Sequence, residues 1–183
     1  MKTVYIFLAE GFEEIEAVTP LDLLRRVGID AKFVSIGESL QVKGAHNIFY
    51  TADILFQEAS NTMADGIVLP GGMPGTLNLL GHKGLCSLIQ EYHNAQKYVC
   101  AICAAPLILG ELNLLSEKTA TIYPGMENKL IGAMPSISPV CVDGTIITSR
   151  GPGTAIPFAL KLVEIFAGKK AAEDLTADIV YQR

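Results

Sequence analysis

The stretch Tyr98-Val99-Cys100-Ala101-Ile102-Cys103-Ala104-Ala105-Pro106 reads as an apolar strand that ends at a cysteine and turns at once into a helix. Tyr98 to Ile102 is continuously apolar, as a strand covered on both faces must be. Pro106 suits a first helical turn, whose N–H groups are unpaired anyway. Small residues, Ala101 and Ala105, stand two positions either side of Cys103, where a sharp turn leaves no room for larger side chains. Working outward, the same alternation recurs. Strands are predicted at Val4 to Leu8, Ala31 to Ile36, Gly66 to Leu69 and Ala120 to Ile122. Helices are predicted over Glu14 to Val27, Gly84 to Asn94, Ala104 to Leu112 and Thr154 to Ala167, each with an apolar stripe at three- and four-residue spacing, and a short one near Ala171 to Ala177. Pro20 is expected to kink the first helix or to mark a late start to it.

Short apolar runs bounded by Gly, Pro and Asp, alternating with helices, are the pattern of βαβ units around a parallel sheet. Two segments read instead as antiparallel hairpin inserts. Leu40 to Tyr50 turns about Lys43-Gly44, and Val140 to Ser149 about Asp143-Gly144, a pair suited to the positive φ of a tight hairpin turn. The fold class is α/β, a mostly parallel sheet with small antiparallel hairpin inserts, in a single domain over residues 1–183.

Composition narrows the partners. The 183 residues carry a formal net charge of -5 with 18% charged residues, so no basic field invites nucleic acid or an anionic membrane surface. No apolar run approaches the ~18 residues of a spanning helix, and the N-terminus lacks a signal-peptide pattern. A cytoplasmic location is expected. Four cysteines, Cys86, Cys100, Cys103 and Cys141, are too sparse for a secreted disulfide framework and are read as reduced thiols. Cys100 and Cys103 form a CxxC, but an apolar strand end explains that pair equally well, and no second CxxC or His pair completes a zinc site. No metal and no cofactor are expected.

In an open parallel sheet, ligands bind beyond the carboxyl ends of the strands, so the chemistry is sought in the loops there. At Cys103 the turn resembles a nucleophile elbow, with the positive end of the following helix favouring thiolate; the competing reading is a structural cysteine in a strand-helix joint. Pro70-Gly71-Gly72 follows another strand and leaves backbone amides unobstructed for an oxyanion, although a turn alone can require such glycines. Glu13, Glu14 and Glu16 crowd the start of the first helix. Two of them suit the helix dipole; one of Glu13 and Glu16, turned toward the strand ends, would be a desolvated carboxyl with a raised pKa beside Cys103. His46, His82 and His93 fall in a hairpin, a loop and a surface helix end, and are read as solvated rather than paired with the cysteine.

Taken in order, Ala9-Glu10-Gly11-Phe12-Glu13-Glu14-Ile15-Glu16, Val68-Leu69-Pro70-Gly71-Gly72, Ala101-Ile102-Cys103-Ala104-Ala105-Pro106 and Thr148-Ser149-Arg150-Gly151-Pro152-Gly153-Thr154 resemble the ThiJ/PfpI family, specifically its Parkinsonism-associated deglycase branch. The resemblance covers nearly the whole chain. It implies a flavodoxin-like (Rossmann-like) three-layer sandwich and a homodimer. It also implies that Cys103 is the reactive nucleophile, that Glu16 is a protonated carboxyl bonded to it, and that the amides of Gly72 and Ala104 are oxyanion donors. Gly71, Tyr123 and Arg150 are implied neighbours of the site. The implied activities are glutathione-independent conversion of 2-oxoaldehydes such as methylglyoxal, deglycation, chaperone action and oxidative-stress sensing through a cysteine sulfinic acid. One departure is informative: many relatives carry His-Pro where this chain has Tyr123-Pro124, and a phenol shuttles protons at neutral pH less well than an imidazole.

Overall fold

A computed structural model describes residues 1–182. The chain opens with β1 (Thr3–Leu8), α1 (Glu14–Arg26) and β2 (Asp30–Ser35), then a hairpin of β3 (Gln41–Lys43) and β4 (Phe49–Thr51). After β5 (Ile54–Leu55) and the single turn α2 (Phe56–Ala59) come β6 (Gly66–Leu69), α3 (Gly75–Gly81), α4 (Lys83–Asn94), β7 (Tyr98–Ile102) and α5 (Pro106–Glu111). The remainder is β8 (Thr119–Ala120), β9 (Met134–Pro135), β10 (Val140–Asp143), β11 (Ile146–Ser149), α6 (Ala155–Ala167) and α7 (Lys169–Asp178).

One seven-stranded sheet, in the order β10-β11-β7-β6-β1-β2-β5, organises the rest, and only the β10–β11 pairing is antiparallel. β6, β7 and β1 from Val4 onward are apolar because helices cover both faces. One core packs Phe7, Ile67, Leu69 and Ala101 against Leu85, Ile89 and Tyr92 of α4 and Ile108 of α5; the other packs Ile6, Leu8, Val68 and Ile102 against Leu24 of α1 and Phe158, Leu162 and Val163 of α6. Alternate residues of one strand thus serve opposite cores. This is the flavodoxin-like, three-layer arrangement with hairpin inserts. No helix among the described residues is long and apolar enough to cross a membrane.

The differences from the sequence reading have local causes. α1 starts at Glu14 and continues through the buried Pro20, so no late start occurs. Ala120 to Ile122 is not a strand of the main sheet. β8 pairs only with β9, while the amides of Thr119 and Thr121 donate to side chains, Asp143 Oδ2 at 2.9 Å and Thr148 Oγ1 at 2.9 Å. The main-sheet position falls to β11, the second arm of the expected hairpin, which runs parallel to β7 from Ile146 beside Val99 to Ser149 beside Ile102. The helix after Cys103 begins at Pro106 rather than Ala104.

Candidate functional site

Four loops meet at the carboxyl ends of β1, β6, β7 and β11. β7 ends at Ile102, and Cys103 takes φ 63°, a left-handed conformation that costs a residue with a Cβ roughly 1–2 kcal/mol. Its neighbours hold it there: Cys103 N–H donates to Ser149 O at 3.0 Å, and Cys103 O accepts from Tyr123 N–H at 2.8 Å. Strain fixed by bonds from two other segments is the signature of a side chain held for use.

Glu16, fully buried on the first turn of α1, lies beside the Cys103 thiol. Glu16 Oε2 accepts the Gly71 N–H at 2.8 Å, whereas Oε1 is buried without a hydrogen-bond partner. Burial pushes the carboxyl up to about 7, against the opposing pull of the thiol and the Gly71 amide. Gly71 is glycine for a steric reason: a Cβ there would lie 2.7 Å from both Cys103 Cβ and Glu16 Oε2. Gly72 adopts φ 87°, and its N–H and that of Ala104 point at the Cys103 sulfur. The structure therefore brings Cys103, Glu16, Gly71, Gly72 and Ala104 together.

The thiol's proton affinity departs from expectation. Burial, reinforced by the adjacent Glu16 carboxylate, pushes Cys103 up to about 12, and the amides of Ala104 and Gly72 offset only part of this. A six-residue helix beginning three positions on is too short and too distant to override a buried negative neighbour. Cys103 at rest is a thiol with a base beside it, not a free thiolate. Cys100 is wholly buried and is also pushed up by desolvation; Cys86 is raised by burial and its thiol donates to Leu80 O at 3.1 Å.

Tyr123 and Arg150 lie on the segments that follow β8 and β11. Both line a shallow cleft of about 320 Å³ with Pro124, Gly151, Pro152, Gly153 and Thr154. The Tyr123 ring lies over Gly151, and Arg150 Nη1 donates to Ile137 O at 3.0 Å. The Tyr123 backbone N–H is bonded to the Cys103 turn.

Sequence reading missed one pairing altogether. Glu14, a buried first-turn residue, accepts the His46 N–H through Oε1 at 2.7 Å and meets His46 Nδ1 through Oε2 at 2.7 Å. No local spacing signals a pair 32 residues apart. His82 also differs, being the N-cap of α4, where its Nδ1 accepts the Leu85 N–H at 2.9 Å.

The chain is similar to known proteins along nearly its whole length. The model of the DJ-1/PfpI family matches residues 2–165. The Arabidopsis thaliana protein DJ-1 homolog A is 39% identical over 179 residues, 96% of this chain, which spans 46% of that relative's length. A Caenorhabditis elegans protein named glutathione-independent glyoxalase DJR-1.2 is 30% identical over 91% of this chain and 89% of its own. Among solved structures, oxidized DJ-1 of Toxoplasma gondii superposes with a TM-score of 0.96 at 33% identity, covering 100% of both chains. A match running from the first strand into α6, on a fold superposable end to end, establishes that the chain belongs to the DJ-1/PfpI family.

Proposed function

We propose that the chain is a cysteine-dependent, glutathione-independent enzyme of the glyoxalase or deglycase type acting on small 2-oxoaldehydes such as methylglyoxal. The observation that carries this reading is the juxtaposition of a strained, partly buried Cys103 with a buried Glu16 whose pKa matches neutral pH. A base titrating near the working pH is the efficient partner for a weakly acidic thiol. The C. elegans relative's name supports the substrate class.

In this mechanism Glu16 takes the thiol proton as Cys103 Sγ bonds to the aldehyde carbon, and the carbonyl π pair moves onto oxygen, where the Gly72 and Ala104 amides hold it. Glu16 passes the thiol proton to that oxygen, which gives a hemithioacetal and frees the carboxylate. Glu16 then removes the proton on the former aldehyde carbon and returns it to the neighbouring carbonyl carbon, while the hydroxyl proton passes from the first oxygen to the second, leaving a thioester of the 2-hydroxyacid. Water cleaves the thioester, so methylglyoxal plus one water yields lactate and the free thiol. The mechanism uses no metal or cofactor.

Methylglyoxal consumption with lactate release, without glutathione, is the expected result for the wild type, and Cys103→Ala should lose it. Persistence of lactate formation in Cys103→Ala would overturn the reading. A second reading, a redox sensor, rests on the same half-protonated Glu16. Two peroxides would convert the thiol to sulfinic acid with release of two waters, and the carboxyl would donate to the new oxygen. Absence of turnover in the wild type, with Cys103 oxidised first, would favour it.

The working unit in this proposal is a cytoplasmic homodimer of one ThiJ/PfpI-like domain, residues 1–183. Ile15, Ile48, Phe49, Met73 and Leu77 are exposed. They are gathered around the Glu10–Phe12 segment by Gly11 N–H on Lys43 O, Ala45 N–H on Phe12 O and Gly75 N–H on Gly11 O. An apolar patch of this kind on a small protein marks an interface. Sedimentation at micromolar concentration should give twice the 19.6 kDa chain mass. Phe49→Asp should halve it, and a monomeric wild type would remove the claim.

A further inference from the structure

We propose that Glu13, Glu14 and His46 form a binding site for a first-row divalent cation, where the start of α1 meets the β3–β4 turn. Their donor atoms all lie within 4.8 Å of one another. His46 Nδ1 is 2.7 Å from Glu14 Oε2 and 3.7 Å from Glu13 Oε2. Metal bonds of about 2.0–2.2 Å to nitrogen and oxygen place neighbouring donors roughly 3–3.5 Å apart. Small rotations of the two outer side chains reach that spacing. The proton now shared between His46 and Glu14 occupies the place a cation would take.

The site is oriented as well as close. The His46 backbone N–H holds Glu14 Oε1 at 2.7 Å, which turns Oε2 toward the imidazole, an outer bond of the kind that fixes a metal-binding carboxylate. Gly44 leaves the space for this, since a Cβ there would collide with the Glu14 carboxyl. The ligands come from two elements 32 residues apart, so a bound ion would tie the hairpin to α1. Two carboxylates balance a dication, and they outweigh the roughly half positive charge at the start of α1. One imidazole and two carboxylates, with no thiolate, suit zinc, manganese or iron(II) rather than copper(I). The expectation of no metal came from Cys and His spacing along the chain, which is blind to a set assembled from two distant segments.

The site shares no ligand with the Cys103 centre, and the test separates the two. Titration calorimetry with zinc on the intact protein should show one equivalent bound at micromolar concentration. His46→Ala and Glu14→Gln should each weaken it by about 10–100-fold, and Cys103→Ser should leave it unchanged. Cobalt(II) should bind without a thiolate-to-cobalt charge-transfer band. Undetectable binding, binding equal in wild type and His46→Ala, or binding lost in Cys103→Ser with a thiolate band in the wild type would each overturn the proposal.

Discussion

Glu16→Gln is expected to slow iodoacetamide alkylation of Cys103 at pH 7 by about 10²–10⁴-fold, the span typical of a positioned acid–base group. In the wild type, with a chelator present, the rate should rise through pH about 7 as Glu16 loses its proton, then level off, because the base is by then fully available. In Glu16→Gln the thiol loses the carboxylate that helps to raise its pKa but also the base that takes its proton, and burial still holds it up, so the rate should continue to climb well above pH 8. Mass-spectrometric rates across pH 5–10 decide the matter, and superimposable profiles would refute the pairing. Stability gives an independent reading of the same group. The folded Glu16 pKa stands above its ordinary 4.5, so the folded state retains a proton that the unfolded state has lost. Glu16 therefore imposes no ionisation penalty below about 4.5, and an increasing one as pH rises to about 7, on the order of 3 kcal/mol in full. The stability of Glu16→Gln relative to wild type should improve across that window and be constant beyond it.

How far the site was legible in the sequence can be judged from this helix. The crowding of Glu13, Glu14 and Glu16 marked the segment, but whether Glu13 or Glu16 turned inward depended on the rotation of α1 over the sheet. Packing of Ala17, Pro20 and Leu24 into the core settles it: Glu16 faces Gly71, while Glu14 is held by His46. The Cys103 elbow was legible because its requirements are local, namely an apolar strand, flanking alanines and Pro106. Its proton affinity was not, since that is set by burial and by Glu16, far away along the chain. α3 was missed because Gly75 and Gly81 bound a segment of weak helix propensity, and what holds it is tertiary: the close approach of Gly75 to Gly11 and the bond from Asn78 Nδ2 to Glu10 O at 2.8 Å. The Asp143-Gly144 turn identified the β10–β11 hairpin, but a turn specifies only which arms pair, not which sheet edge receives them.

Gly71→Ala is expected to lower turnover by at least ~100-fold without abolishing the fold, since displacement of catalytic groups by about 1 Å can cost that much. The new methyl would sit 2.7 Å from Cys103 Cβ and Glu16 Oε2 and 3.1 Å from Ala104 N, so it must drive the acid and the thiol apart. Overpacking of this kind destabilises by about 1–3 kcal/mol. The companion variant distinguishes wedging from general damage. Cys103→Gly removes the Cβ that the new methyl would strike and relieves the positive φ at that turn, so by itself it should raise the melting temperature. Cys103→Ala keeps both the Cβ and the strain and should not raise it. Combined with Gly71→Ala, Cys103→Gly should recover part of the lost stability, and the two changes should be non-additive by about 1 kcal/mol or more, as expected for residues in contact. Strict additivity would mean that Gly71 acts elsewhere. Unimpaired turnover in Gly71→Ala would mean that the closeness of Cys103 and Glu16 is not what the chemistry requires.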